Sequence, residues 1–311
     1  MKAPATTGKG LAIAALSAQT MFSAATFLLV KRVLGTPSQP GVLSAFQLLT
    51  LRFAIAGGVL GILLINSKGT LAAIRRYFLR FLLLGFIAVP LNVGLFFEGA
   101  SRTPAAHSAL AYALTPVFVF IYEKFAGRVD ATFSRAAGIL LALGGALTVL
   151  LSKHQFSGPE PVGDLMLLGA AASWGLYTVL VRPLVATVGA MPAMVSSLLL
   201  GSILWLPAGI PIALNIDYAP LDAMDWIAVL YTAAVTTIIS YLLWLYALKR
   251  LDATQVAVFT NLQPVATVFL AWIVLGEPVT AAIAGATTLV LCGVTLVQWN
   301  PRLPSFRVWN R

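Results

Sequence analysis

The chain has 311 residues, of which 59% are hydrophobic and only 10% are charged, and its mean hydropathy is +0.93. That much apolar surface excludes an ordinary soluble globular protein and predicts a polytopic helical membrane protein. The formal net charge of +10 does not indicate nucleic-acid binding, because the basic residues lie between apolar segments and form no single patch.

The first half of the chain contains five apolar segments that can cross a bilayer as helices, since roughly 20 residues span ~30 Å of hydrocarbon. They lie at about residues 11–30, 44–65, 81–97, 105–122 and 133–151. A signal peptide is the alternative for the first segment, because Lys2 and Lys9 precede it. Its full spanning length and the further segments that follow favour a retained helix.

The second half repeats this organisation after a hydrophilic linker at residues 153–162, which contains Pro159 and Pro161. Its apolar segments lie at about residues 165–181, 193–214, 226–245, 254–275 and 281–297. The domains predicted are a first five-helix unit at residues 1–152, a second at residues 163–300 and a basic tail at residues 301–311.

The two halves also share a short internal repeat. At an offset of 148 residues, positions 104–117 and 252–265 have five identical residues, including the mid-segment prolines Pro116 and Pro264. The paired prolines favour duplication, because apolar sequences often match by chance. Five crossings per unit give the two units opposite orientations, a design that places a binding site at the midplane between them.

The distribution of Lys and Arg predicts the orientation of these ten helices. If both termini lie on one side, that side has 15 of the 20 Lys and Arg residues and the other side has four, with Arg52 inside a span. Short loops rich in Lys and Arg stay in the cytoplasm. Both termini and the tail are therefore expected in the cytoplasm, and the linker in the periplasm.

The stretch at residues 247–280 has the clearest family signal. A basic turn, Lys249-Arg250-Leu251-Asp252, precedes an apolar run around Pro264 that ends at Gly276-Glu277-Pro278. This pattern resembles the second conserved block of the EamA-type proteins of the drug/metabolite transporter superfamily. The whole chain is similar to the YddG-type bacterial amino-acid exporters of that group. The resemblance implies a ten-helix transporter, although the first half has Gly127-Arg128-Val129 where the second has its Gly-Glu-Pro.

Arg52 and His107 are the ionisable residues that lie inside apolar segments. A charge within a span is costly, so each is a candidate for a proton or polar relay. Structural roles are the alternatives: Arg52 can snorkel or bond helix carbonyls, and His107 can be hydrated in the first turn of its helix. No pair of deep carboxylates is present, which favours facilitated transport over strong proton coupling.

Polar and aromatic residues recur at helical spacing in six of the spans. In the eighth span, Thr236/Thr237, Ser240/Tyr241 and Trp244 are spaced to share one face. For any single polar and aromatic face, the alternative interpretation is that it packs against another helix and contacts no ligand. Together, the six faces predict a wet central cavity. The predicted substrate-binding residues are Gln19, Phe22, Asn92, Phe96, Tyr112, Trp174, Tyr177, Thr237, Tyr241, Trp244, Asn261 and Gln263.

Three prolines within spans, Pro90, Pro116 and Pro264, are predicted hinges, because proline removes a helix hydrogen bond and allows bending. A hinge suits a transporter that exposes its cavity alternately to the two sides of the membrane.

These features favour export of small metabolites, with amino acids including aromatic ones as the favoured substrates. Efflux of other solutes or drugs by the same superfamily is the alternative, although a cation exporter would more often have a deep glutamate. An enzyme is not expected, because no nucleophile, metal set or catalytic carboxylate pair is evident. The absence of a Walker A sequence argues against ATP use.

The remaining expectations concern partners and location. The resemblance implies a bacterial-type cytoplasmic (inner) membrane protein with several crossings. The expected partners are a small-molecule substrate and the lipid bilayer, without nucleic acid, cofactor or metal. The sequence leaves the oligomeric state open, with a monomer as one alternative. The one cysteine, Cys292, cannot form an internal disulfide and is predicted to be a small buried hydrophobe.

Overall fold

The computed structural model of the protein describes residues 5–35, 39–127, 133–151, 160–251, 253–257, 259, 262–275 and 279–298. Within these ranges the named elements are all helices. The α-helices are α1 (Ala5–Leu34), α2 (Ala45–Ile65), α3 (Lys68–Phe86), α4 (Gly94–Arg102), α5 (Ala105–Ala113), α6 (Thr115–Phe125), α7 (Phe133–Leu151), α8 (Glu160–Val188), α9 (Ala190–Leu214), α10 (Ala223–Tyr231), α11 (Tyr241–Leu248), α12 (Ala253–Ala257), α13 (Leu262–Leu270) and α14 (Ala281–Gln298). Three π-helical segments, Ile87–Val93, Thr232–Ser240 and Ala271–Leu275, continue α3, α10 and α13. Asn261, Gly276-Glu277-Pro278, most of the predicted linker and the basic tail lie outside the described residues.

Six continuous helices within the described ranges are long and apolar enough to cross a membrane. They are Lys9–Leu34, Ala45–Ile65, Gly69–Arg102, Pro161–Val188, Ala190–Leu214 and Ala223–Leu248. The other four predicted spans coincide with α5 and α6, with α7, with α12 and α13, and with α14. The chain is thus an all-helical, multi-pass membrane protein, as its composition predicted.

The third span differs from its prediction, because its helix begins at Lys68 and not near residue 81. Arg75, Arg76 and Arg80 made the first part resemble a loop. Their side chains are exposed on α3, and the guanidinium carbons of Arg76 and Arg80 lie 5.3 and 5.9 Å from the ring centre of Tyr77. Tyr77 has φ and ψ of −124° and 30°, so α3 is kinked at this residue, and the long cationic chains extend away from the apolar surface around it.

The helix interruptions recur at matching positions in the two halves. The third span of each half contains a π-helical segment, Ile87–Val93 or Thr232–Ser240. In the first, Pro90 lacks the N–H that an α-helix needs. In the second, the hydroxyl of Thr237 donates to the carbonyl of Thr232 at 2.9 Å, which satisfies an acceptor of the segment.

The fourth span of each half is broken just before its proline. Leu114 separates α5 from α6, and Pro116 lies in the first turn of α6. In the second half α12 ends at Ala257, and Pro264 is the third residue of α13. A proline is tolerated in the first turn of a helix, where its missing N–H has no intrahelical partner. Pro116 and Pro264 therefore lie in the first turns of the helices that follow the interruptions.

Glycines bring pairs of helices into close contact. A side chain on Gly85 of α3 or on Gly201 of α9 would overlap the backbone of the other helix. A side chain on Gly293 of α14 would likewise overlap the backbone of Gly138 and Ala142 on α7. Small residues at helix contacts are the usual means by which membrane helices pack closely.

The first helix of each half packs against the other half. Helix α1 contacts α10, α11 and α13, and α8 contacts α4, α5 and α6. Both halves therefore form the centre of the molecule. There the π-helical segment Ile87–Val93 packs against α8, and the segment Thr232–Ser240 packs against α1 and α2.

Candidate substrate cavity

A cavity enclosing about 570 Å³ of space, part of it open to solvent, lies at this centre. Both halves contribute to its wall, which combines aromatic rings with neutral hydrogen-bonding groups and one cation. It is lined by Gln19, Ser23, Thr26, Phe27, Arg52, Asn92, Val93, Phe96, Tyr112, Trp174, Thr236, Ser240, Tyr241 and Gln263.

Most of the residues selected from the sequence line this cavity. Seven of the predicted substrate-binding residues do so, as does Arg52, one of the two relay candidates. The seven are Gln19, Asn92, Phe96, Tyr112, Trp174, Tyr241 and Gln263. Asn261 lies outside the described residues.

Four predicted residues do not line the cavity, and three of them lie behind its wall. Tyr177, Thr237 and Trp244 are completely buried, and the phenol and indole contact other helices. The hydroxyl of Tyr177 shares a hydrogen bond of 3.0 Å with Ser197, and the indole N–H of Trp244 donates to Thr178 at 3.3 Å. Phe22 contributes its backbone carbonyl, which accepts a hydrogen bond of 3.1 Å from the hydroxyl of Tyr231.

The π-helical segment explains which residues of the eighth span face the cavity. In a π-helix the repeating hydrogen bond joins residues five apart, whereas an α-helical pattern places residues four apart on one face. Thr236 and Tyr241, five apart, both line the cavity, while Thr237 lies behind it. The α-helical spacing used for the prediction therefore selected Thr237 in place of its neighbour.

Sequence reasoning also omitted several lining residues. Ser23 and Thr26 follow Gln19 by four and seven residues, and Ser240 belongs to the polar face of the eighth span, so helical spacing provided a signal for all three. Phe27 and Val93 carry no such signal, because an apolar residue in an apolar helix can face lipid, protein or cavity equally well.

Aromatic rings form two groups in the wall. The rings of Trp174 and Tyr177 stack with centres 5.4 Å apart, and Tyr241 meets Trp174 edge to face at 5.0 Å. On the opposite repeat, Phe27, Phe96 and Tyr112 meet edge to face at 5.6 to 6.0 Å. Both geometries are favourable for aromatic pairs, so these rings form rigid walls for an apolar or aromatic ligand group.

Asn92 fixes one side of the cavity. Its amide nitrogen donates to the carbonyl of Ala170 at 2.7 Å, and its distances to the hydroxyls of Tyr112 and Ser173 are 3.1 and 3.3 Å. Asn92 therefore connects the first π-helical segment to both α5 and α8. It holds the phenol of Tyr112 toward the cavity.

Arg52 places a cation in the wall of the cavity. The side chain is only 2% exposed, and its Nε donates to the hydroxyl of Thr237 at 2.6 Å. The guanidinium carbon lies 5.3 and 5.5 Å from the ring centres of Phe53 and Phe97, which is within cation–π range. Its two Nη atoms make no hydrogen bond with any residue that the structure describes, and no carboxylate among those residues pairs with it.

Three oxygen atoms of cavity residues are buried without a hydrogen-bond partner in the described part of the chain. They belong to the side chains of Gln19, Ser240 and Gln263. Buried polar atoms nearly always have a partner, from the protein or from water. Their concentration in one cavity indicates a place where a ligand or water completes the hydrogen bonds.

His107, the other relay candidate, does not line the cavity. It is 6% exposed, and its Nδ1 lies 2.8 Å from a carboxylate oxygen of Asp164, so that α5 is joined to α8. Arg32 on α1 similarly binds Asp222 at 2.6 Å and Asp225 at 3.2 Å at the start of α10. The backbone N–H of Asp225 holds the pKa of Asp222 below its ordinary value, and the charge of Arg32 acts in the same direction. These contacts join the two halves of the chain at one end.

The predicted hinges lie at or beside helix interruptions. Pro90 is inside the first π-helical segment, two residues before Asn92. Pro116 and Pro264 lie in the first turns of α6 and α13. Cys292, expected to be buried, is exposed on α14, because that face of the helix is not covered by any of the residues that the structure describes. Among the described residues, no group of three or more His, Cys, Asp and Glu side chains could hold a metal ion.

The fold and the cavity define a multi-pass membrane transporter. The family model of the EamA-like transporter family matches residues 9–151 and 161–299. The chain therefore belongs to this family, which confirms the resemblance seen in the sequence and makes the protein a transporter and not an enzyme. Two successive matches also indicate a duplicated architecture, with one copy in each half.

Similar proteins agree with this assignment. The uncharacterized transporter YyaM of Bacillus subtilis (strain 168) is 26% identical over 295 residues, which cover 92% of this chain and 93% of that protein. A probable terminal-alkyne amino-acid exporter of Streptantibioticus cattleyicolor is 26% identical over 203 residues, which cover 64% of this chain and 66% of that protein. A solved crystal structure with a TM-score of 0.62 and 22% identity covers 94% of this chain and 95% of that chain, which shows a shared fold.

Proposed function

We propose that this transporter exports small zwitterionic metabolites, in particular amino acids including aromatic ones, by alternating access without ATP. The observation that carries the proposal is Arg52, a buried cation in the cavity wall whose Nη atoms have no partner among the described residues. An uncompensated charge inside a membrane protein is costly, and a substrate carboxylate would compensate it through charge-assisted hydrogen bonds.

The rest of the cavity suits the same class of substrate. No Asp or Glu side chain is among the described residues that line it, so a substrate carboxylate meets no like charge. The rings of Phe96, Trp174 and Tyr241 would contact an apolar or aromatic side chain. A relative whose name includes amino-acid export supports this substrate class for the present chain.

We also propose ten crossings in two inverted five-helix repeats, with both termini on the cytoplasmic side of a bacterial inner membrane. The support is threefold: the asymmetric distribution of Lys and Arg, the two family matches and the interruptions that recur in the third and fourth spans of each half. In this arrangement α1 and α8 occupy equivalent positions and each packs against the opposite repeat.

The function can be tested with purified protein in liposomes. Counterflow of labelled phenylalanine is compared between the wild type, Arg52→Gln and the charge-preserving control Arg52→Lys. We expect Arg52→Gln to weaken apparent affinity roughly tenfold or more, because hydrogen bonds to a charged group are worth ~1.5–3 kcal/mol. Arg52→Lys should retain more affinity than Arg52→Gln.

Two results would contradict the proposal. One is a folded wild-type protein that transports no amino acid from a panel of aromatic, aliphatic and polar ones. The other is full phenylalanine affinity in Arg52→Gln. Transport of a cationic dye in place of amino acids would favour the alternative, efflux of another class of solute.

A further inference from the structure

The two glutamines of the cavity have an unusual hydrogen-bonding state. Gln19 is 5% exposed and Gln263 is 3% exposed, yet the side-chain oxygen of each has no partner in the described part of the chain. The amide nitrogen of Gln19 donates to the hydroxyl of Ser23 at 2.7 Å, which orients its oxygen. Leaving a buried acceptor unsatisfied costs ~1–3 kcal/mol, so a donor is expected to occupy this part of the cavity.

Both oxygens belong to neighbouring helices on one side of the cavity. Helix α1 carries Gln19 and packs against α13, which carries Gln263 as its second residue. The hydroxyl of Thr20, next to Gln19, donates to the carbonyl of Phe259 at 3.2 Å and fixes α1 against the chain that leads into α13. Arg52 approaches the same cavity from α2, held by Thr237.

This arrangement provides one cationic group and two neutral acceptors. A guanidinium binds a carboxylate, whereas amide oxygens accept hydrogen bonds from an ammonium group. Because the acceptors carry no negative charge, they do not compensate the charge of Arg52, and a substrate with only a positive charge is repelled by it. A substrate with only a carboxylate leaves the amide oxygens without donors.

We propose that the side-chain oxygens of Gln19 and Gln263 bind the ammonium group of the substrate and make the cavity selective for zwitterions over simple anions and simple amines. This inference rests on the proposed function, because it assigns the second end of the site at which Arg52 binds the carboxylate. It predicts that the two ends can be altered separately.

Three ligands that share a phenyl ring separate the two ends. Phenylalanine carries both charged groups, 3-phenylpropionate carries only the carboxylate and phenylalaninamide carries only the ammonium. Each is measured as a competitor of labelled phenylalanine in counterflow by the full-length protein in liposomes. The wild type should bind phenylalanine at least ~10-fold more tightly than either analogue, since each analogue leaves buried groups unpaired.

The double variant Gln19→Met/Gln263→Met keeps the length of both side chains and removes both oxygens. We expect it to weaken phenylalanine binding roughly tenfold while leaving 3-phenylpropionate unchanged, so that the preference between them is lost. Gln255→Met on α12, where the side chain is exposed, is the matched control and should leave the preference as in the wild type.

A second variant, Gln263→Glu, tests the same assignment by a gain of binding. A carboxylate in place of the amide should improve competition by phenylalaninamide at least ~5-fold, because an ionised acceptor binds ammonium more strongly than a neutral one. This result does not depend on whether the double variant folds.

The inference is overturned if the double variant weakens phenylalanine and 3-phenylpropionate by the same factor, or weakens neither, or if Gln263→Glu fails to improve phenylalaninamide. Failure of the proposed function has a different signature. In that case Arg52→Gln leaves competition by 3-phenylpropionate unchanged, or the wild type transports no phenylalanine at all, whatever the glutamine variants do.

Discussion

Two tryptophans of the central aromatic group have different surroundings, although both belong to the same contact cluster. Trp174 lines the cavity and stacks on Tyr177, whereas Trp244 is completely buried and donates its N–H to Thr178. Their ring centres are only 5.3 Å apart. Trp174 therefore belongs to the wall of the cavity, whereas Trp244 belongs to the packing behind that wall.

This difference predicts that truncating Trp174 and truncating Trp244 have different effects. Trp174→Ala should reduce phenylalanine counterflow about fivefold more than threonine counterflow, because one aromatic contact is worth ~1 kcal/mol. Trp244→Ala should instead lower the melting temperature of the purified protein and reduce both substrates alike, since a cavity left by a buried aromatic ring costs ~3–5 kcal/mol. Transport at matched protein amounts and a thermal melt measure both effects. Substrate-selective loss in Trp244→Ala with an unchanged melting temperature would contradict this assignment.

At the scale of helices, the ionic contacts between halves are concentrated where α1 ends and where α5, α8 and α10 begin. His107 binds Asp164 across α5 and α8, and Arg32 binds Asp222 across α1 and α10. Within the first half, the side chain of Lys31 at the same end donates to the carbonyls of Ala100 and Thr103 near the end of α4. In the proposed orientation this is the periplasmic end, and we expect these contacts to favour its closure.

Weakening one of these contacts should open the periplasmic end more often. A single cysteine at Ser23, in a Cys292→Ala background, reports access to the cavity from outside through a membrane-impermeant thiol reagent. Asp164→Asn should raise its labelling rate several-fold, because it removes the carboxylate that contacts the ring of His107 across α5 and α8, and hydrogen bonds to charged groups are worth ~1.5–3 kcal/mol. Glu98→Gln is the control, since Glu98 pairs with Arg102 on its own helix and this pair does not connect the two halves of the chain. Equal labelling rates in Asp164→Asn and Glu98→Gln would show that the His107 contact does not hold this end closed.

At the scale of the whole molecule, the two halves contribute comparable parts to one cavity. The first half provides Arg52 and the group around Phe96, and the second provides Trp174, Tyr241 and Gln263. A site shared between repeats is suited to alternating access, because a rocking motion of one repeat against the other can change which side is open while the site remains at the midplane.

The proposed orientation can be tested by labelling exposed loop residues in intact cells. In the Cys292→Ala background, Ala219→Cys between α9 and α10 should react with an impermeant thiol reagent from outside. Asn66→Cys, after α2, should react only once the membrane is permeabilised. The reverse pattern would invert the topology, and reaction of both positions from outside would contradict the number of crossings.

Much of the fold could be predicted from the sequence because the bilayer imposes a simple rule. Backbone polar groups must be satisfied within each segment, so long apolar runs have to be helices. On this basis the prediction located four segments within a few residues of the observed helices. They are the first two segments and those at residues 193–214 and 226–245. The third span was shortened in the prediction, because Arg75, Arg76 and Arg80 lower the local hydropathy, although helix α3 includes them and is kinked at Tyr77.

The sequence by itself determined the membrane class, the family and most of the polar and aromatic residues that face the cavity, since helical periodicity places those residues on one face. Only the tertiary structure decided which of them line the cavity. The π-helical segment at Thr232–Ser240 changes the angular spacing of residues within it and the direction of those after it, and in this arrangement Thr236 lines the cavity whereas Thr237 and Trp244 lie behind the wall. The partner of His107 and the unpaired oxygens of Gln19 and Gln263 likewise follow from contacts between helices distant in sequence, which no local pattern encodes.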